Sequence, residues 1–118
     1  MTQTRIGVVE SRFADIVWRN APLSTKELVE LCEQELNWKR TTTYTVLKKF
    51  CNRQIFSMNQ KNVTVLVTKE EFQAMQSEQF VQDTFQGSLP AFIAAFTTRK
   101  SLSQKELEEI KRMVESFE

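Results

Sequence analysis

Apolar residues in the first half of the chain recur every three or four positions, which is the spacing of one face of an α-helix. Asn20-Ala21-Pro22 interrupts the first of these stripes. Helices are therefore predicted over about residues 5–18, 24–36 and 39–53. The pattern then changes to two short runs rich in β-branched and aromatic residues, Ile55–Met58 and Val63–Val67. Gln60-Lys61-Asn62 lies between them, so we expect a tight β-hairpin.

Capping boxes mark three of the helix starts. In this motif a Ser or Thr is followed three residues later by Glu, and each side chain accepts a hydrogen bond from a backbone N–H of the other residue. The pairs are Ser24/Glu27, Thr68/Glu71 and Ser103/Glu106. Gly87 is suited to end the helix that starts at Thr68. Ser88 and Pro90 then predict a short fifth helix before the sixth begins at Ser103.

Three helices followed by a hairpin form the order of a winged helix-turn-helix domain. We assign this domain to residues 1–67. Residues 68–118 are assigned to a helical dimerisation arm. The expected fold class is therefore mainly α, with a short β-hairpin wing.

The arm carries more large apolar side chains than three short helices can enclose by themselves. Pairing with a second copy would bury the excess, so we expect a homodimer. The alternative is that these side chains pack against the winged domain of the same chain. The expected interface residues are Phe72, Met75, Phe80, Val81, Phe85, Leu89, Phe92, Ile93, Phe96, Leu107, Ile110, Met113 and Val114.

The stretch from Leu36 to Thr68 contains no Asp or Glu, although these make up 15 of the 118 residues. Cationic and hydroxyl groups without acids among them suit a polyanion such as double-stranded DNA. Most of them fall on the face of the third helix opposite its apolar stripe. The alternatives are an ordinary solvated helix face, and a hairpin that only closes the core. The candidate DNA-binding residues are Lys39, Arg40, Thr41, Thr42, Thr45, Lys48, Lys49, Asn52 and, at the hairpin tip, Lys61.

Other functional classes find little support in the composition. The chain has no His, the commonest general base and metal ligand, and only two glycines, so no catalytic site, metal site or cofactor is expected. Cys32 and Cys51 are expected to be buried reduced thiols. No segment resembles a signal peptide or a membrane span, so we expect a cytoplasmic protein without membrane insertion. A protein-interaction module and an RNA-binding winged helix remain as rivals.

A set of short stretches occurs in the order and spacing of one known family. They are Ile16-Val17-Trp18, Ala21-Pro22-Leu23-Ser24-Thr25-Lys26-Glu27, Trp38 with Thr42 and Val46-Leu47, Phe85-Gln86-Gly87-Ser88, Phe96, and Leu102-Ser103-Gln104-Lys105-Glu106-Leu107 with Glu109-Ile110. Over nearly its whole length the chain resembles the penicillinase-repressor family of bacterial regulators. The resemblance implies a homodimeric winged-helix repressor on an inverted-repeat operator, controlling β-lactamase or similar antibiotic-resistance genes.

The resemblance also implies a way of releasing the DNA. Such repressors are inactivated when a sensor-linked protease cuts them, and the matching bond here joins Ala95 to Phe96. The family usually has Asn where Ala95 stands, and Gly where Gln54 stands. Copper-responsive members, the alternative within the family, carry a C-terminal cysteine cluster that this chain lacks.

Overall fold

The computed structural model describes residues 6–117 and is mainly helical, as predicted. Its close contacts divide it into two compact units, one ending at Gln79 and the other beginning at Phe80, within the fourth helix. The elements in chain order are α1 (Val8–Asn20), β1 (Leu23–Ser24), α2 (Thr25–Leu36), α3 (Arg40–Asn52), β2 (Phe56–Asn59), β3 (Asn62–Val65), α4 (Lys69–Phe85), α5 (Leu89–Arg99) and α6 (Gln104–Glu115).

The first unit is a winged helix-turn-helix domain built around an aromatic core. The Phe13 ring of α1 lies 5.5 Å from Phe50 of α3 and 6.4 Å from Phe56 of β2, between ring centroids. All three side chains are fully buried. Because each comes from a different element, burial of these rings fixes α1 and α3 against the hairpin. The expected core face of α3, including Val46 and Leu47, is also buried.

Local signals set the ends of α2 and α3. Ser24 and Glu27 form the predicted capping box, with the Glu27 N–H donating to Ser24 Oγ at 3.0 Å. At the far end of α3 the Ile55 N–H donates to the Phe50 carbonyl and the Gln54 N–H to the Cys51 carbonyl. These two bonds form a Schellman motif, which places Gln54 in the left-handed region at φ 60°.

Strand β2 begins and ends one residue later than predicted, whereas β3 begins one residue earlier and ends two residues earlier. The hairpin also joins a sheet that we did not predict. Strand β3 pairs with β2 on one side and with β1 on the other, opposite Leu23 and Ser24. A two-residue strand gives no periodic pattern, and its partner is distant in sequence. Gln60 and Lys61 form the turn, with positive φ at both positions, as a type I′ hairpin requires.

Helix α4 begins with the predicted capping box, since the Glu71 N–H donates to Thr68 Oγ1 at 3.1 Å. Its first apolar residue corrects one expectation. Phe72 is only 1% exposed and packs against Trp18 with ring centroids 5.6 Å apart, so it belongs to the winged-domain core and not to a dimer surface. Its position one turn inside α4 places it beside α1, which sequence spacing does not reveal.

The second unit has a small aromatic cluster and a large exposed apolar surface. Phe92 lies 5.7–6.2 Å from three other rings, those of Phe80, Phe85 and Phe96. These contacts hold α5 to the end of α4, yet neither α5 nor α6 contains a buried residue. The apolar side chains of this unit that remain largely exposed are Phe80, Leu89, Ile93, Phe96, Leu107, Ile110, Met113, Val114 and Phe117.

Candidate nucleic-acid interface

The outer face of α3 is open to solvent, as a DNA-contacting surface requires. The helix is held by its opposite face, where Thr43, Val46 and Phe50 are buried. The structure leaves every predicted DNA-binding residue exposed: Lys39, Arg40, Thr41, Thr42, Thr45, Lys48, Lys49, Asn52 and Lys61. Eight of these lie on α3 or at its N-cap, and the ninth lies in the wing turn.

A row of side chains four residues apart runs along one edge of this face: Arg40, Tyr44 and Lys48. The Arg40 guanidinium carbon lies 5.5 Å from the centroid of the Tyr44 ring, within the range of a cation–π contact. Tyr44 itself is half-buried. The interpretation from charge did not include it, although its spacing from Arg40 was a usable signal.

The wing turn is anchored next to this row. The Thr25 N–H, at the start of α2, donates to the Lys61 carbonyl at 2.9 Å. The Thr25 hydroxyl lowers the pKa of the Tyr44 phenol by hydrogen bonding to it, and the Arg40 guanidinium and the positive charge of Lys61 act in the same direction. The starts of α2 and α3 therefore meet the wing turn at Tyr44.

The fold brings one carboxylate onto the α3 face that the sequence left acid-free. Glu10, in the first turn of α1, has its Oε1 3.7 Å from Lys49 Nζ. Lys49 therefore already has a partner within its own chain. Within residues 6–117, no carboxylate forms an ion pair with Lys39, Arg40, Lys48 or Lys61.

One hydroxyl of the face is committed to the helix itself. Thr45 Oγ1 donates to the Thr41 carbonyl at 2.9 Å. The Thr45 hydroxyl hydrogen is therefore occupied by this bond, while the hydroxyl oxygen can still accept a hydrogen bond from a DNA donor such as an exocyclic amino group. Thr41 and Thr42 are the hydroxyls at the exposed start of α3.

A groove lies along α1, and its positive and negative charges balance one another. This groove of about 930 Å³ is lined by parts of α1, β3 and the start of α4. Arg19 pairs with Glu35 at 3.0 Å, and Lys69 pairs with Asp15 at 2.9 Å. The third cation of the lining, Arg12, donates to the Glu35 backbone carbonyl at 3.1 Å, and Glu70 is the third acid. With three cations and three acids in its lining, the groove offers no net charge for an anionic ligand.

The two cysteines carry no site in this unit. Cys32 is buried and Cys51 is half-buried, both as free thiols. Burial raises the pKa of each thiol, which keeps them protonated and unreactive. Over the described part of the chain, no three His, Cys, Asp or Glu side chains come together in a way that could hold a metal ion.

The expected cleavage bond lies within α5. Ala95 and Phe96 are both exposed, in the middle of the helix Leu89–Arg99.

Of the other expected interface residues, Phe85 and Phe92 are half-buried by the aromatic cluster of their own chain. Met75 and Val81 are also half-buried.

Comparison with known proteins decides the family. The family model described as penicillinase repressor matches residues 6–116. The chain belongs to the penicillinase repressor family. The match spans both the winged domain and the helical arm, as the resemblance of the sequence stretches indicated. The family consists of transcriptional repressors, which are not enzymes.

Several curated proteins that are similar in sequence to this chain are named methicillin resistance regulatory protein MecI. The protein of this name from Staphylococcus aureus strain Mu50 is 20% identical over 113 residues, covering 92% of each chain. Those from Mammaliicoccus sciuri and Staphylococcus epidermidis show the same identity and coverage.

One departure from the family's usual sequence fits the backbone at the end of α3. Gln54, where our comparison expected the family's usual glycine, adopts the left-handed conformation that glycine favours. Within residues 6–117, no helix is both long enough and apolar enough to span a membrane.

Proposed function

We propose that this chain is a cytoplasmic transcriptional repressor that binds an inverted-repeat DNA operator as a homodimer. The observation that carries the proposal is the open cationic and hydroxyl face of α3. Lys48 and Arg40 would contact phosphates, and Thr41, Thr42 and Thr45 would meet phosphates or base edges in the major groove. Lys61 would contact the backbone beside the groove.

Dimerisation is supported by the second unit. Its α6 presents Leu107, Ile110, Met113 and Val114 on one stripe, and each of them is more than a third exposed in the single chain. An apolar stripe of this size is costly to leave in water, and a second copy of the same stripe would cover it. Two copies of α3 would then reach half-sites about one helical turn apart or slightly more.

Antibiotic-resistance genes are the proposed targets, supported by the methicillin-resistance names of the relatives. The dimer would exclude RNA polymerase from the promoter while it is bound. Cutting of the Ala95–Phe96 bond by a sensor-linked protease is the proposed release step. Because this bond lies within α5, the helix would have to open locally before a protease could bind the bond in extended form.

The alternative of a thiolate copper sensor has less support. The sequence contains two cysteines in all. Burial raises the pKa of both thiols, whereas a cysteine binds copper as a thiolate. A protein-interaction role would not need the cationic row on α3.

The test is the salt dependence of binding to a random-sequence DNA duplex. Six to eight phosphate contacts per dimer give a slope of log affinity against log salt of roughly −5 to −7. Lys48→Glu should weaken binding and flatten the slope by about 2 per dimer, since each contact contributes about 0.9. Lys105→Glu, the same charge change on α6, is the matched control and should leave the slope nearly unchanged.

A near-zero slope for the unaltered protein would refute DNA binding. Equal effects of the two substitutions would show that net charge, and not the α3 face, governs the interaction.

A further inference from the structure

Three separate elements meet at Tyr44, and two of them bring a cation to it. Arg40 approaches from the preceding turn of α3, with its guanidinium carbon 5.5 Å from the ring centroid. The Lys61 backbone is held near Tyr44 by a 2.9 Å hydrogen bond from the Thr25 N–H, and the Lys61 charge is close enough to act on the Tyr44 phenol. Thr25 is itself buried, so it is a firm anchor for both the turn and the Tyr44 phenol.

The cations at this point have no acid to balance them. Arg40 and Lys61 form no ion pair with any carboxylate of residues 6–117, and both side chains are exposed. Two uncompensated cations and a phenol on one exposed patch are complementary to a group with one negative charge and several acceptor oxygens. A phosphate diester of the DNA backbone is such a group.

We propose that Arg40, Lys61 and Tyr44 form a clamp for one backbone phosphate, with Tyr44 as its positioning residue. The inference rests on the proposed function, because it assigns a part of the same surface. The phenol orients the Arg40 guanidinium through ring contact and through its oxygen, and it also donates to a phosphate oxygen. The clamp ties the wing to the start of α3, so that one phosphate fixes the register of the helix on the duplex.

Base stacking is a poorer use of Tyr44. One face of its ring is covered by Arg40, and the side chain is half-buried. A stacked base needs an open aromatic face. The hydroxyl, which lies beside Thr25 and the two cations, is the part of Tyr44 that is positioned to act.

Tyr44→Phe removes the hydroxyl and keeps the ring, so it tests the role of the hydroxyl alone. This substitution retains the cation–π contact, but it also removes the hydrogen-bond partner of the buried Thr25 hydroxyl, so the unfolding free energy should fall by the contribution of one hydrogen bond. Affinities are therefore compared at a temperature at which both proteins are fully folded. Loss of the phenol donor should weaken DNA binding about three- to tenfold. Because a phosphate contact is independent of sequence, the factor should be the same for a random-sequence duplex and for a duplex obtained by selection. The salt slope should not change, because no charge is removed.

A second measurement uses the partner cation. Lys61→Gln should reduce the salt slope by about 1 per protomer. Its effect on affinity should be smaller in the Tyr44→Phe background than in the unaltered protein, because the two groups share one phosphate.

Three results would overturn the clamp: no loss of affinity in Tyr44→Phe, a loss confined to the selected duplex, or strictly additive effects of the two substitutions. The second would mean that Tyr44 contacts a base. Failure of the unaltered protein to bind either duplex would instead refute the proposed function, so the two failures are distinguishable.

Discussion

Glu10 places a carboxylate on the cationic face of α3, 3.7 Å from the amine of Lys49. The pair is partly exposed, so its contribution to folding stability is small. The pair should weaken binding of a phosphate by Lys49 more than it affects folding, because Lys49 has to break its ion pair with Glu10 before it can bind the phosphate. The exposure of the nine candidate residues was predictable from the sequence pattern, but this pairing was not, since Glu10 is 39 positions away along the chain.

We predict that Glu10→Gln tightens DNA binding by several-fold and steepens the salt slope by about 1 per protomer. The physical reason is that Lys49 becomes available to neutralise a phosphate. Glu109→Gln makes the same change in net charge at an exposed position of α6 and is the control. Binding titrations at several salt concentrations give both quantities. An equal gain from both substitutions would show that the local pair has no role.

Most of what could be predicted from the sequence concerned the helices. The three capping boxes and the stripe of α3 were predictable because they depend on residues three or four positions apart. Strand β1 and the burial of Phe72 were not, because each depends on a partner far along the chain, Val63 for Leu23 and Trp18 for Phe72. Local patterns therefore specified the elements, and long-range packing specified how they join.

The left-handed position that ends α3 yields a prediction about stability. Gln54 has φ 60°, which costs a residue with a Cβ atom about 1 kcal/mol relative to glycine. Gln54→Gly should therefore raise the unfolding free energy by up to about 1 kcal/mol. Gln73→Gly, in the exposed interior of α4, should lower it by about 1 kcal/mol. Chemical denaturation measures both, and a loss of stability in Gln54→Gly would contradict the assigned Schellman motif.

The capping boxes should make stability depend on acid pH. Hydrogen bonds from the N-cap backbone and hydroxyl lower the pKa of Glu27, Glu71 and Glu106. A carboxyl with a lowered folded-state pKa stabilises the fold above its ordinary pKa, and this contribution is lost as pH falls through the lowered value. The triple variant with Gln at these positions retains an acceptor but does not titrate. Its thermal midpoint should fall less steeply on acidification.

The control for this experiment is a triple Glu→Gln variant at the exposed positions Glu30, Glu109 and Glu115, which lie outside the caps. Its thermal midpoint should follow that of the unaltered protein across the same acid range. A capping variant with the unaltered pH profile would show that the three carboxyls do not stabilise the helix starts.

Across the whole molecule, the candidate DNA-binding residues lie in the first unit and most of the exposed large apolar side chains lie in the second. The excess of apolar residues beyond residue 68 was visible in the sequence. Which of them stay exposed was not, because Phe85 and Phe92 are partly used in the intramolecular cluster, whereas Met113 is 59% exposed. Sequence patterns cannot distinguish contacts within a chain from contacts between chains.

Met113→Glu should break self-association. Since the side chain is already exposed in the single chain, the substitution should leave the helix intact. Burying a methionine on pairing contributes about 1.5–3 kcal/mol, so the dimer dissociation constant should rise at least about tenfold. Gln104→Glu, with the same charge change on α6 outside the apolar stripe, is the control. Sedimentation equilibrium would show the change, and a monomeric unaltered protein would refute the dimer.

The most direct test of sequence-specific repression is selection of bound duplexes from a random DNA pool, with a Lys48→Glu/Lys49→Glu variant run in parallel. Enrichment of an inverted repeat by the unaltered protein, and its loss in the variant, is the predicted result. The spacing between the two half-sites would then report the dimer geometry, and the sequence would identify the regulated genes. Absence of any enriched sequence in both selections would contradict a dimeric DNA reader and favour a protein-interaction role for the winged domain.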